Sequence, residues 1–271
     1  MFLINVNFAI KIMAGFLFNR IVFGPVKSRR LGVSLGINLL PIGFKYCTFN
    51  CVYCECGWTL HNEIDSEKLH SREDVEKELE IALKQFKEAG KPIDAITFAG
   101  NGEPTIHPEF AGIVDDTLAL RDLWMPNAKV SVLSNATMLD DTDVFQALLK
   151  VDNNILKLDA GTQETFQLIN HSLQNTTLQS IVENLIRFEG KLTIQSLFVK
   201  GMVNDQEIDN TTPEEVAAWL KHIERIRPTS VMIYPIHRAT PGEKLEVTNH
   251  KLLLNIAAQV EALGITTQVY E

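Results

Sequence analysis

The feature that most restricts this chain is a strand-then-helix alternation that recurs six times along it. Short apolar runs rich in β-branched residues, bounded by glycine, proline and polar turn formers, read as buried strands. They fall at 33–40, 93–99, 128–133, 155–159, 192–199 and 230–234, the first and fifth being the longest. Helical periodicity fills the gaps, with start signals at Ser71-Arg72-Glu73-Asp74, at Asp140-Asp141 and at Thr212-Pro213-Glu214-Glu215. Such alternation implies parallel strands joined by right-handed crossovers. Six units are too few for a closed eightfold barrel, so the expected fold is α/β, a partial (β/α)6 TIM-type barrel. Residues 1–32 read as a short N-terminal arm, 33–240 as the barrel and 241–271 as a C-terminal helix and strand packing on it. Residues 1–12 precede a second methionine, Met13, and read as an upstream start extension.

In a barrel of this kind the chemistry gathers where the strands end. The first strand runs into Lys45-Tyr46-Cys47-Thr48-Phe49-Asn50-Cys51-Val52-Tyr53-Cys54, three thiols within eight residues, with Cys56 just beyond. All four cysteines share one ten-residue window without a secretory signal, which disfavours disulfides and points to a reducing cytoplasm. A zinc site closed by Cys56 or His61 is one reading. It lacks the second short chelate that zinc modules usually bring from elsewhere in the chain. A cubane iron–sulfur cluster is the other: it takes four ligands, so three thiols leave one iron open. Cys56 lies outside the three-thiol spacing and reads as a spare thiol, and no cysteine remains downstream for a second cluster.

The second strand ends in Gly100-Asn101-Gly102-Glu103-Pro104, where glycines permit close approach and a carboxylate beside exposed carbonyls suits an ammonium guest. The third ends in Ser134-Asn135 and the fourth in Lys157-Leu158-Asp159, residues that serve helix caps and turns as readily as ligands. A lysine inside the barrel needs a partner, and Glu103 or Asp159 is available to Lys157. Gln195 and Ser196 interrupt the fifth strand with polar groups that must also be satisfied. After the sixth come His237, which reads as a surface residue as well as a substrate-side one, and Arg238, whose guanidinium suits a carboxylate or phosphate. Lys27, Arg29, Arg30 and Lys45 form a basic patch that reads as a solvated face.

The C-x3-C-x2-C spacing with Tyr53 in its aromatic slot, followed at the next strand end by G-N-G-E-P, resembles the radical S-adenosylmethionine (radical SAM) superfamily. The resemblance implies one [4Fe-4S] cluster on Cys47, Cys51 and Cys54, its open iron chelated by the methionine end of SAM. It also implies Tyr53 against the adenine and Gly100, Asn101, Gly102 and Glu103 around the methionine amino group, Asn101 departing from the usual G-G-E-P. Ser134, Asn135 and Asp159 would face the ribose and sulfonium. From the residues themselves, Ser196 reads as a cofactor-side candidate and Gln195, His237 and Arg238 as substrate-side candidates. The implied activity is reductive cleavage of SAM to a 5′-deoxyadenosyl radical that abstracts hydrogen, fed by an electron donor such as a flavodoxin or ferredoxin. The segments 28–38, 55–57 and 100–105 look most like the wyosine-synthetase-like branch.

A tRNA substrate is not carried over, because the chain has net charge −9 and only four cysteines, so nucleic acid is not favoured. A glycyl-radical-enzyme activase, a tRNA-modifying enzyme and a non-catalytic zinc-binding module stand as alternatives, and the substrate is open between a small molecule, a peptide and a protein. No apolar run reaches the ~20 residues needed to span a bilayer, so no membrane is expected.

Overall fold

The computed structural model describes residues 16–59, 69–238, 240–242 and 244–271; the expectations for residues 1–12 and His61 lie outside them. The first strand β1 (Val22–Ser28) pairs antiparallel with β2 (Gly32–Ile37). From β2 the chain alternates as expected: α1 (Arg72–Glu88), β3 (Ala95–Phe98), α2 (Phe110–Trp124), β4 (Lys129–Ser134), α3 (Thr142–Lys150) and β5 (Asn153–Lys157). Two helices follow, α4 (Gln163–Asn170) and α5 (Leu178–Ile186), before β6 (Thr193–Leu197). A hairpin, β7 (Val199–Val203) and β8 (Gln206–Asp209), then leads through α6 (Pro213–Ile226) to β9 (Ser230–Tyr234). The chain closes with β10 (Lys244–Val247), α7 (His250–Glu261) and β11 (Thr266–Val269).

The main sheet has eight strands in the order β1-β2-β3-β4-β5-β6-β9-β11, parallel throughout except for β1 at its edge. All six expected strands are present and in sequence order. The segments read as flanking the barrel each add an edge strand to the same sheet, β1 at one side and β11, parallel to β9, at the other. The fifth strand is shorter than its apolar run suggested, covering five residues, because the chain leaves the sheet at Phe198 to build a separate three-stranded sheet, β10-β7-β8.

The helix starts explain themselves locally. Ser71 accepts the Asp74 N–H, Asp141 the N–H groups of Asp143 and Val144, and Thr212 that of Glu215, each satisfying a donor that the first turn leaves without a partner. On the helix side of the sheet, Ile96, Phe98, Val130, Val132, Leu156, Ile194, Val231 and Ile233 are fully buried. Phe98 meets Phe110 of α2 edge-to-face at 5.8 Å, and Phe198 meets Trp219 of α6 at 5.3 Å. Alternate side chains point to the other face, which carries polar groups beside apolar ones such as Ile155 and Met232: Ser34 bonds Thr97 at 2.7 Å and Asn153 bonds Ser131 at 3.0 Å.

The sheet curves around that face. β2 and β6 lie four places apart in strand order, which in a flat sheet is about 19 Å. Yet Arg30, in the β1–β2 turn, donates from Nη1 to Oε1 of Gln195 in β6 at 2.9 Å. No helix among the described residues is long and apolar enough to cross a membrane.

Candidate active site

The cysteines lie on the long loop that leaves β2, and the loop is braced on two sides by backbone. On one side Tyr46 pairs with Gly102 in a parallel bridge, the Tyr46 N–H reaching the Asn101 carbonyl at 2.8 Å and the Glu103 N–H the Tyr46 carbonyl at 3.1 Å. On the other side Asn50 and Val52 donate to the carbonyls of Asn170 and Ile169 at the end of α4, and the Leu173 N–H returns to Thr48. The thiols therefore sit between the G-N-G-E-P turn and the end of α4.

Lys45 closes the base of this loop. It is only 3% exposed, so it belongs to no surface patch, and its Nζ donates to the Gly57 carbonyl at 3.1 Å. Burial opposes its charge, but the nearby sulfurs of Cys54, Cys47 and Cys51 outweigh that and raise its pKa. Burial pushes the Cys47 thiol up to about 12 and also raises Cys51. Cys54 is drawn down to about 5 by a hydrogen bond from the Cys56 thiol, which is itself raised. Cys56 further lies 3.3 Å from the Gly100 carbonyl. Amide groups face the sulfurs: Phe49 N–H at 3.4 Å and Asn135 Nδ2 at 3.5 Å from Cys47, and Asn170 Nδ2 at 3.5 Å from Cys51. Three thiols around one buried ammonium, with N–H donors aimed at them, form a receptacle suited to an anionic, sulfur-ligated group. Among the described residues, no three His, Cys, Asp or Glu side chains converge on a single-ion site.

The G-N-G-E-P turn serves the fold with its side chains. Asn101 is fully buried; its side chain bonds both the N–H and the carbonyl of Phe18 and the carbonyl of Pro41, while its own N–H goes to Asn38. Glu103 accepts from the N–H and hydroxyl of Thr105 and, at 2.6 Å, from the N–H of Asn135. Burial raises its pKa against these donors. Gly102 has φ +147°, and a Cβ there would lie 1.7 Å from the Tyr46 carbonyl oxygen. Gly102→Ala is therefore expected to break the bridge to Tyr46, at a cost of more than about 1 kcal/mol. Thermal melting checks it, since each kcal/mol is worth about 2–4 °C in a chain of this size.

The other anticipated residues separate into two groups. Asn135 bridges Cys47 and Thr48, and Ser134 accepts the Ala136 N–H, shaping the turn after β4. Asp159 is buried and central: it bonds the Tyr53 hydroxyl, pairs with Lys157 at 3.3 Å, and accepts from Asn170 at 2.8 Å and from the Leu197 N–H at 2.9 Å. Of the two partners open to Lys157, the structure supplies Asp159. Lys157 also donates to the Tyr53 hydroxyl at 2.6 Å; burial opposes its charge, but the Asp159 carboxylate beside it, aided by other nearby anionic groups, outweighs burial and raises its pKa. Tyr53, Asp159 and Asn135 thus come together with the thiols. Ser196 does not, since it is on the helix-facing side and bonds the Leu158 carbonyl. Gln195 faces inward to Arg30 and Tyr234. His237 and Arg238 are exposed, and Arg238 pairs with Glu55 at 2.7 Å.

Three asparagines were not anticipated. Asn38 orients Asn101, Asn170 touches both Cys51 and Asp159, and Asn210 bonds the carbonyls of Asp159 and Leu197. Asn38 stands at a strand end and was open to the same reasoning as Asn135, had β2 been ended at Ile37 instead of Leu40.

Comparison with known proteins agrees with this arrangement. Residues 42–212 match the Radical SAM superfamily. The chain is 33% identical over 229 residues to a UPF0026 protein of Synechocystis sp., covering 78% of it. It is 31% identical to a UPF0026 protein of Methanocaldococcus jannaschii and to a protein named GTPase Obg from Brachyspira hyodysenteriae, but spans only 56% and 32% of their lengths. In fold it resembles a radical SAM methyltransferase from Sphaerobacter thermophilus, with TM-score 0.64, 14% identity, and coverage of 88% of this chain and 65% of that one. An archaeal TYW1 gives TM-score 0.52 at 14% identity, over 84% of this chain and 71% of that one. By its sequence match, then, with the fold in accord, this chain belongs to the radical SAM superfamily of enzymes and, within it, groups with the UPF0026 proteins.

Proposed function

We propose that the protein is a radical SAM enzyme in which Cys47, Cys51 and Cys54 hold a single [4Fe-4S] cluster and the neighbouring strand ends hold SAM. The observation that carries this reading is the convergence of three thiols on the buried Lys45 ammonium, directly beside the G-N-G-E-P turn. When bound, the cluster and SAM supply the reductive cleavage that yields a 5′-deoxyadenosyl radical for hydrogen abstraction.

The chain's own groups then have distinct tasks. Lys45 and the N–H donors of Phe49, Asn135 and Asn170 balance the charge on the sulfurs. The backbone carbonyls of Gly100 and Gly102 offer acceptors to an ammonium group, the Asn101 carbonyl being held by the Tyr46 N–H, with the Glu103 carboxylate fixing the turn behind them. Asp159 holds Lys157 and Tyr53 in place, so the Tyr53 ring presents a flat wall to the adenine. Residues 33–240 form the catalytic core, working in a reducing cytoplasm with a flavodoxin or ferredoxin as electron source.

Anaerobic reconstitution with iron and sulfide tests this. The expected result is a brown protein with about four irons per chain, which releases 5′-deoxyadenosine from SAM under reductant. A colourless protein that takes up one zinc and leaves SAM intact would overturn the reading.

A further inference from the structure

Building on that reading, we propose that the substrate is a phosphorylated small molecule whose phosphate is gripped by Arg30 in a cation-lined cleft beside the cysteine loop. A cleft of about 400 Å³ lies between the β1–β2 hairpin and the ends of β9 and β11, with Tyr53 in its wall. That volume is in the range of small-molecule sites. Four cations line it. Arg238 faces Glu55, whereas Lys27, Arg29 and Arg30 have no carboxylate within ion-pair distance among the described residues. In a chain of net charge −9, this is a local reversal of sign, and a concave surface focuses it.

Arg30 is what distinguishes the cleft from a solvated charge run. It is half-buried, with its guanidinium 4.8 Å from the centre of the Tyr234 ring and Nη1 bonded to Gln195 at 2.9 Å. The Tyr234 hydroxyl shares the same Gln195 oxygen at 3.4 Å. Neutral partners thus hold the planar fork in one orientation without cancelling its charge. A guanidinium fixed beforehand loses less freedom when it grips an oxyanion. The choice of phosphate over carboxylate follows from charge: a phosphate monoester brings about −1.5 to −2 at pH 7, against −1 for a carboxylate, and three cations are unpaired. The limited volume of the cleft and the acidic remainder of the chain favour a small molecule over a polynucleotide, which needs an extended basic stripe.

The test is calorimetric binding of ribose 5-phosphate to the anaerobically reconstituted full chain, with gluconate as a carboxylate of similar size. Wild type is expected to bind the phosphate about tenfold or more tightly than gluconate, Arg30→Gln to weaken it by about tenfold or more, and Lys27→Gln/Arg29→Gln to flatten its salt dependence. Lys221→Gln, an exposed change on α6, controls for net charge and is expected to bind as wild type does. Equal binding of the two anions, or equal binding by Arg30→Gln and the control, would overturn the proposal, as would displacement of the phosphate by lower concentrations of bulk tRNA. Should Arg30→Gln fail to fold, an unchanged salt dependence in the double variant overturns it instead. Wild type that binds the phosphate but leaves SAM intact would overturn the enzymatic reading and leave the anion site; SAM cleavage without phosphate binding would overturn the anion site alone.

Discussion

Replacing Cys47, Cys51 or Cys54 by Ala is expected to leave a folded protein that cannot hold its cluster, with SAM cleavage falling by more than about 100-fold. That exceeds the 10–100-fold cost of losing an outer-shell partner, which is the range expected for Asn135→Ala. Folding should survive because the loop is tied by backbone bonds to Gly102 and to the end of α4, none of which uses a sulfur. Cys56→Ala is the discriminating variant. A three-thiol cluster keeps its iron and visible absorbance without Cys56, whereas a four-thiol zinc site loses its metal. Iron and sulfide content, visible spectra and chromatography of 5′-deoxyadenosine read the outcome. Equal losses in all four variants would contradict the three-ligand assignment.

Asp159→Ala is expected to give the largest loss of stability of any single change in the barrel interior. The Lys157 side chain is 15% exposed and that of Asp159 fully buried, so removing the carboxylate strands an ammonium away from water. Breaking a buried pair from one side costs about 3–5 kcal/mol. In a chain of this size that corresponds to a fall of roughly 6–20 °C in Tm. The same change frees Asn170, the Leu197 N–H and the Tyr53 hydroxyl, so the site should loosen with the fold. Lys157→Met/Asp159→Ala removes both charges and is expected to recover part of the loss. A melting temperature within 2–3 °C of wild type for Asp159→Ala, roughly a 1 kcal/mol effect, would mean the pair is hydrated in solution.

The central parallel strands were legible because they are largely buried and read as short, mainly apolar runs. β1 was not, since Val22–Ser28 is mostly exposed and carries Gly24 and Pro25 in its middle. The small β10-β7-β8 sheet escaped for a related reason: its strands run to four or five residues of mixed polarity, and their pairing is settled by distant partners. At the site, local sequence marked the thiols and the glycine turn, where spacing alone carries the chemistry. It misplaced Lys45, read as surface, because only the fold brings the thiols around its ammonium. It likewise could not tell that Gln195 points inward and Ser196 outward, as this depends on where the strand's alternation begins.

The bracing of the cysteine loop bears on repair. Its shape is fixed by amides, carbonyls and one buried lysine, so a protein stripped of iron by oxygen should keep its three sulfurs in register. Restoring such a molecule would then require reduction and a fresh supply of iron and sulfide, with no need to refold the chain or make it anew.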